Sequence, residues 1–425
     1  MSFLYPFLNF LQPGILFPDL AELRPMLIIS LLAIALGLLG KAEVPRMAGF
    51  RHPTFLWLMT FLFMQVISVH GSGMLAMFEY FMFWSAYMLF VIASLTVITS
   101  PQALRRYVAG MLAGCMFVVA YGIYGVFAWG GYQWQGETAT GRAGAYGMYE
   151  NHNDYSFIII QILPFTFMYL KSEKGLVRRA LLAGALLACV VGIFMSLSRG
   201  GVLAMLLEFV LLLLLGIKSR KRFLLLPVLI IAGAGAIIYQ WTEREENQAG
   251  EYSATDAESS RFELWRAARQ MIQDKPLLGV GSHRFYEFSQ GYIEGMSQAQ
   301  RGKNTHNTYL EILTGSGLLG FLPFVLAIWY LIKDLRRPTH NNGPPWLEAT
   351  RVATLVSVYS ILFRAFLDAK DFDWSFFVLP SIGIMCCALR RNVDTASAAS
   401  ARPPRYERYR GEGADPLPAS LAKPR

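Results

Sequence analysis

The sequence predicts an all-α polytopic membrane protein with about twelve transmembrane helices and one long, partly helical extracytoplasmic loop. Three observations carry this. Of 425 residues, 54% are hydrophobic and only 16% charged, with a mean hydropathy of +0.38, outside the range of soluble domains. Apolar runs recur at the length that crosses about 30 Å of hydrocarbon as a helix. Basic residues collect in every second connection between those runs, as the positive-inside rule requires. Strand-like alternation is missing, which argues against a transmembrane β-barrel.

The apolar runs lie near residues 3–17, 25–40, 54–70, 74–98, 107–129, 155–170, 179–197, 201–217, 223–240, 309–332, 350–366 and 374–389. The first contains Pro6, Pro13 and Gly14, so it is expected to kink, re-enter or lie at the interface. No basic stretch or small-residue cleavage motif marks a removable signal peptide at the N-terminus. A transmembrane domain is expected over residues 1–393, with a loop at 241–308 between the ninth and tenth spans. Residues 394–425, rich in Ala, Ser, Pro and Arg, read as a disordered basic cytoplasmic tail.

The basic connections hold Lys41, Arg46 and Arg51; Arg105 and Arg106; Lys171, Lys174, Arg178 and Arg179; Lys218, Arg220, Lys221 and Arg222; and Lys333, Arg336, Arg337 and Arg351. With the tail they account for most of the chain's 38 Lys and Arg. The net charge of +9 is therefore a topology signal that places both termini in the cytoplasm, and no nucleic-acid partner is expected. The other face carries the connections near 18–24, 71–73, 130–154, 198–200, 241–308 and 367–373. Its long loop has eight basic and ten acidic residues. Chemistry on that face lacks ATP and nucleotide sugars, so an enzyme there needs a donor that arrives already activated. Cys115, Cys189, Cys386 and Cys387 all fall in apolar runs without metal-ligand spacing to histidine. They read as buried free thiols, and no metal or cofactor is expected.

Five groups of residues on that face suggest chemistry. Arg199, in Ser196-Leu197-Ser198-Arg199-Gly200-Gly201, sits between two spans with almost no loop, where an arginine must bind an anion or pair with a carboxylate such as Glu208 or Asp368. Ser260-Arg261-Phe262-Glu263 matches a capping box, predicting a helix that starts there and ends before Pro276. Its apolar face is Leu264, Ala268, Met271 and Ile272, and Arg261 falls in its first turn, against the helix dipole. Gly279-Val280-Gly281 allows close backbone approach, with Arg284 just beyond. Arg142 precedes Tyr149-Glu150-Asn151-His152-Asn153-Asp154, whose polar side chains either meet sugar hydroxyls, Asn151 among them, or cap a helix through Asn153 or Asp154. Asp368, Asp371 and Asp373 add carboxylates.

His306 is the sharpest candidate. It stands at the start of a span on the same face as the arginines, and an imidazole titrating near pH 6.5 suits proton abstraction from a hydroxyl. Asn307 and Tyr309 beside it are further candidate substrate contacts. His52 and His340 fall in cytoplasmic connections and His70 at a span end, where they read as structural.

At these residues the chain resembles the O-antigen ligase and polymerase superfamily of bacterial envelopes. The matching pieces are Ser198-Arg199-Gly200-Gly201, Arg261-Phe262-Glu263-Leu264-Trp265 leading to Leu278-Gly279-Val280-Gly281, and His306-Asn307-Thr308-Tyr309-Leu310 leading to Gly317-Leu318-Leu319-Gly320. The resemblance implies glycan transfer from undecaprenyl diphosphate on the periplasmic side of the inner membrane. It further implies that Arg199 and Arg261 bind the diphosphate, that His306 activates the acceptor hydroxyl, and that Asp368 is the acidic residue of the last outer loop. The reading that follows is a metal-independent, inverting O-antigen ligase acting on a lipid A-core acceptor. A polymerase, a protein O-glycosylating relative and a multi-span transporter are the alternatives; a transporter would place its polar residues near the midplane.

Overall fold

The computed structural model describes residues 1–43, 45, 47–134, 137–217, 233, 235, 254–293, 303–338, 344–370 and 373–400. Its helices are α1 (Leu4–Leu11), α2 (Pro13–Leu16), α3 (Pro25–Leu39), α4 (Pro53–Ile67), α5 (Met74–Val97), α6 (Pro101–Trp129), α7 (His152–Ser172), α8 (Leu176–Ser196), α9 (Arg199–Leu211), α10 (Ala254–Asp274), α11 (Phe285–Phe288), α12 (Thr308–Leu335), α13 (Pro345–Arg364) and α14 (Val378–Ser400). A π-helical turn, Leu212–Gly216, extends α9. The chain is an all-α polytopic membrane protein; among the described residues the one small sheet is an antiparallel hairpin, β1 (Gly131–Trp134) with β2 (Glu137–Thr140), after α6.

Among the described residues eight helices are long and apolar enough to cross a membrane: Pro53–Ser72, Met74–Val97, Pro101–Trp129, His152–Ser172, Leu176–Ser196, Arg199–Gly216, Thr308–Leu335 and Pro345–Arg364. The other four expected spans differ. The first is broken: Gln12 turns left-handed (φ 50°) between α1 and α2, and Pro13 removes a helical N–H there. The second, α3, has only 15 residues, about 22 Å of rise. Of the ninth, 223–240, only residues 233 and 235 are described, and Arg46, Lys218 to Arg222, His340, residues 241–253 and residues 401–425 lie outside the described residues. The last begins as a 3-10 turn, Trp374–Phe377, and continues as α14 to Ser400, past the start of the expected tail.

α7 and α13 pack side by side at the centre, flanked by α8 and α9, while α4 lies along α12, α1 along α6 and α3 along α5. All four cysteines are free and buried.

The described connections meet one another in two groups, one at each end of the helices. At one end His52 Nε2 meets Asp334 Oδ2 at 3.0 Å, Arg391 also reaches Asp334, and Arg105 pairs with Glu173 at 3.0 Å. His52 has a structural part here: it is 2% exposed and caps α4 by accepting the Thr54 N–H on Nδ1, which makes Nε2–H the donor to Asp334. Burial lowers its pKa. At the other end Tyr146 Oη donates to the Leu11 carbonyl at 3.1 Å, Ser198 Oγ to Asn153 Oδ1 at 2.8 Å, and Thr308 Oγ1 to the Asp368 carbonyl at 2.8 Å.

α12 is interrupted at Gly317 (φ 60°, ψ −162°), which would leave backbone groups unpaired inside the membrane. The stretch after α10 folds back against the break and supplies partners. Val280 N–H donates to the Thr314 carbonyl (2.8 Å) and Gly281 N–H to Gly315 (2.9 Å), while Leu318 and Leu319 N–H donate to Pro276 (2.8 Å) and Leu277 (3.1 Å). Gly279 has φ +67°, and a Cβ there would collide with the Thr314 and Gly315 carbonyl oxygens. Gly279→Ala should therefore destabilise the protein by about 2 kcal/mol or more, read as a lower thermal midpoint in detergent. An unchanged midpoint would remove the pairing from the account.

Candidate functional site

The site forms where three helix N-termini meet the C-terminal end of α13. Asn151 caps α7, its side chain accepting from Asn153 N–H at 2.7 Å. Ser198 caps α9, accepting from Gly201 N–H at 3.2 Å. Asn307 caps α12, accepting from Tyr309 and Leu310 N–H at 3.0 and 3.2 Å. Each N-terminus carries the positive end of a helix dipole, so the face they share favours an anion.

Arg364 is the centre. It ends α13 with only 2% of its surface exposed. Its Nη2 reaches Asn153 Oδ1 and Ser198 Oγ at 3.3 Å each and lies 3.8 Å from Asp368 Oδ2. A Cβ on Gly200 would overlap this guanidinium, so any other residue after Arg199 would push Arg364 out of this position. Asp368 is shared. Beyond Arg364 it faces Lys370 Nζ at 3.5 Å and His306 Nδ1 at 3.9 Å. Lys370, 7% exposed, also pairs with Asp154 in the first turn of α7, and its backbone N–H donates to Thr308 Oγ1 at 2.9 Å. Nearby, burial raises the pKa of Asp373, against the lowering effect of Lys370; Asp371 lies outside the described residues.

The predicted residues divide accordingly. His306 sits at the mouth, with 34% of its side chain exposed and Asp368 the carboxylate beside it. Arg199 opens α9 next to Gly200 and is half-buried. Glu208 lies more than two turns further along α9, too far down the helix to pair with it. Arg261 stands close enough for its charge to act on Arg364. The helix that carries it begins at Ala254, not at Ser260. Ala254, Asp256, Ala257 and Glu258 favour an earlier start through propensity and the dipole, so Arg261 lies about two turns in and meets no dipole penalty. The apolar face is as expected in its main members: Leu264, Ala267, Ala268 and Met271 form a small core with Val280 and Phe285.

Other candidates are committed elsewhere. Asn151 and Asn307 serve as caps; the cap expected of Asn153 or Asp154 falls to Asn151. Tyr309 Oη donates to the Leu362 carbonyl at 2.7 Å, with its ring 4.5 Å from that of Phe366. Arg284 binds Glu287 through Nε and Nη2, both at 2.7 Å, reaches Ser72, and covers the Phe288 ring. Arg142 follows the hairpin; its neighbour Ala143 donates to the Met195 carbonyl at 2.7 Å, near the α8–α9 turn. His283 stacks on Trp84 at 5.4 Å, and burial lowers its pKa to about 4, so it is neutral at physiological pH. At the opposite end His52, Asp334 and Cys387 bring ligand atoms within 4.8 Å of one another. Arg391 already occupies the Asp334 carboxylate, putting positive charge where a metal ion would bind.

Sequence reasoning missed Arg364 and Lys370. The available signal was an arginine inside an apolar run, which by membrane energetics marks a functional or paired site.

Fold and site together define a multi-pass membrane protein with a cationic, histidine-bearing centre at one membrane face. A family model described as O-Antigen ligase matches residues 184–325, a region that holds Arg199, Arg261 and His306 and ends before α13. The exopolysaccharide production protein ExoQ of Rhizobium meliloti is 22% identical over 350 residues, covering 75% of this chain and 73% of its own length. An uncharacterized protein of Haemophilus influenzae is 35% identical over 89 residues, 19% of this chain. That match spans only 22% of the Haemophilus protein. The family model covers about a third of the chain, and together with the ExoQ match it marks a similarity to the O-antigen ligase and polymerase superfamily.

Replacing Arg364 leaves Asp368 with one cation fewer in a nearly dry setting. Arg364→Met should cost on the order of 3 kcal/mol, measured by thermal unfolding in detergent. Arg364→Met with Asp368→Asn should recover part of that, because the stranded charge is removed too. Equal midpoints for the wild type and both variants would contradict the assignment.

Proposed function

We propose that this protein is a membrane glycosyltransferase of the O-antigen ligase type, acting on the periplasmic face of the bacterial inner membrane. It transfers undecaprenyl-diphosphate-linked polysaccharide to a hydroxyl of lipid A-core. The observation that carries the reading is the grouping of His306, Asp368, Arg364, Arg199 and Arg261 at one membrane face, opposite the basic connections.

In this mechanism His306 takes the proton of the acceptor hydroxyl on Nε2, since Nδ1 is the nitrogen turned toward Asp368. The freed oxygen pair attacks the anomeric carbon as the bond from that carbon to the diphosphate oxygen breaks. The electrons leave with the diphosphate, whose growing charge is held by Arg199 and Arg261. Guanidinium forks bind phosphate oxygens in pairs and gain strength where water is scarce. Such fixed charge is often the largest single contribution to catalysis, and base assistance adds roughly 10²–10⁴-fold. Asp368 steadies the imidazolium until the proton passes to solvent. One displacement inverts the anomeric configuration, and the leaving group needs neither protein nucleophile nor metal.

ExoQ, whose name concerns exopolysaccharide production, matches three-quarters of the chain and favours a second reading. In it the same centre joins one lipid-linked glycan to another, as a polymerase. Deletion of the gene separates the two. A ligase null accumulates lipid-linked polymer and leaves lipid A-core bare; a polymerase null leaves single repeat units; unchanged glycans would contradict both. With purified protein, Arg199→Ala should abolish transfer and His306→Ala should lower it roughly 10²–10⁴-fold, each with the protein still folded, and a chelator should leave the wild-type rate intact. Near-normal transfer by those variants, or isolation of a glycosyl-enzyme, would overturn the mechanism.

A further inference from the structure

A hydrogen bond outside the centre ties α10 to the histidine. Trp265 Nε1 donates to the carbonyl of Thr305 at 2.9 Å. Thr305 is fully buried and held on its other side as well: its N–H and its Oγ1 reach Glu311 Oε2 at 3.0 and 2.8 Å. The next residue is His306, whose backbone sits in the left-handed region at φ 49°, with its N–H on Asn304 Oδ1 at 3.1 Å. A non-glycine residue held there costs about 1–2 kcal/mol and keeps the conformation only where its surroundings impose it. Here the surroundings are Trp265 from α10 and Glu311 from α12. On α10, Trp265 follows Arg261 by four residues, one turn along the same face. A second contact runs parallel, since Leu310 of α12 packs against the apolar face of α10.

We propose that Trp265 and Glu311 are positioning residues that fix the His306 imidazole relative to Arg261, so that α10 carries both a donor-binding cation and the pin for the acceptor-activating base. This rests on the reading of His306 as base and Arg261 as diphosphate ligand. α10 and the histidine peptide then move as one unit. A loop helix displaced from the centre withdraws the cation and misplaces the base together, which confines base function to the state in which the diphosphate can be bound.

The test uses full-length protein in nanodiscs, a lipid-diphosphate-linked glycan as donor and lipid A-core as acceptor. Trp265→Phe keeps an aromatic ring but removes the only side-chain donor. It should lower kcat roughly 10- to 100-fold with the donor KM within about twofold. Glu311→Gln keeps an acceptor for Thr305 and should retain most of the rate, whereas Glu311→Leu should fall as Trp265→Phe does. Because both act through the histidine, Trp265→Phe should slow His306→Ala no further in single-turnover measurements. A raised donor KM at unchanged kcat, a full multiplicative loss on His306→Ala, or wild-type rates for both Trp265→Phe and Glu311→Leu would each overturn the proposal. Should Trp265→Phe not fold, the Glu311→Gln and Glu311→Leu pair decides by the same criteria. Substantial transfer by His306→Ala alone would instead sink the underlying reading, an outcome separate from any result on Trp265.

Discussion

A guanidinium at the end of an apolar helix is the constraint from which the site is built. Arg364 has left water almost completely, and a charge in that position persists only if fixed partners replace its hydration. Those partners come from separate parts of the chain: Asn153 at the start of α7, Ser198 at the start of α9, and Asp368 from the turn after α13. Partnering Nη2 of this one cation thus brings two helix N-termini together and leaves a carboxylate beside His306. Gly200 follows from the same requirement, since any side chain there would displace the guanidinium.

The broken helix supplies the complementary constraint. An interruption within a membrane-spanning helix exposes peptide groups that lipid cannot satisfy, and the returning stretch 276–281 takes them up. That return anchors the C-terminal end of α10. Trp265 and the small core around Leu264 and Met271 then seat α10 against the start of α12. The helix that carries Arg261 is thus fastened at both of these points.

Much of the architecture was legible in the sequence because its causes are local. A span is a continuous apolar run, and the expected sidedness of a connection depends on the charges within a few residues of it, so both expectations come from sequence alone. Arg199 and His306 could be singled out for the same reason, each standing at the edge of an apolar run outside the basic connections. What escaped depends on contacts between remote segments. Arg364 lay hidden inside a run that read as a span, and nothing near it in sequence shows that Asn153 and Ser198 will meet it. The capping box at Ser260 was a sound local signal overridden by helix formers just upstream. Asn151, Asn307 and Arg284 were chosen for their chemistry, yet the structure commits them to caps and to Glu287, which single-residue reasoning cannot foresee.

The central claim is that a transfer centre assembled from four connections faces away from the cytoplasm. Labelling of single cysteines in spheroplasts by a membrane-impermeant maleimide tests this most directly, because the four native thiols are buried and should stay silent. Lys303 and Arg337 are both exposed, one near the histidine and one at the basic end. Lys303→Cys should label from outside in intact spheroplasts, and Arg337→Cys only after lysis. The reverse pattern would put the centre on the cytoplasmic side and contradict the account.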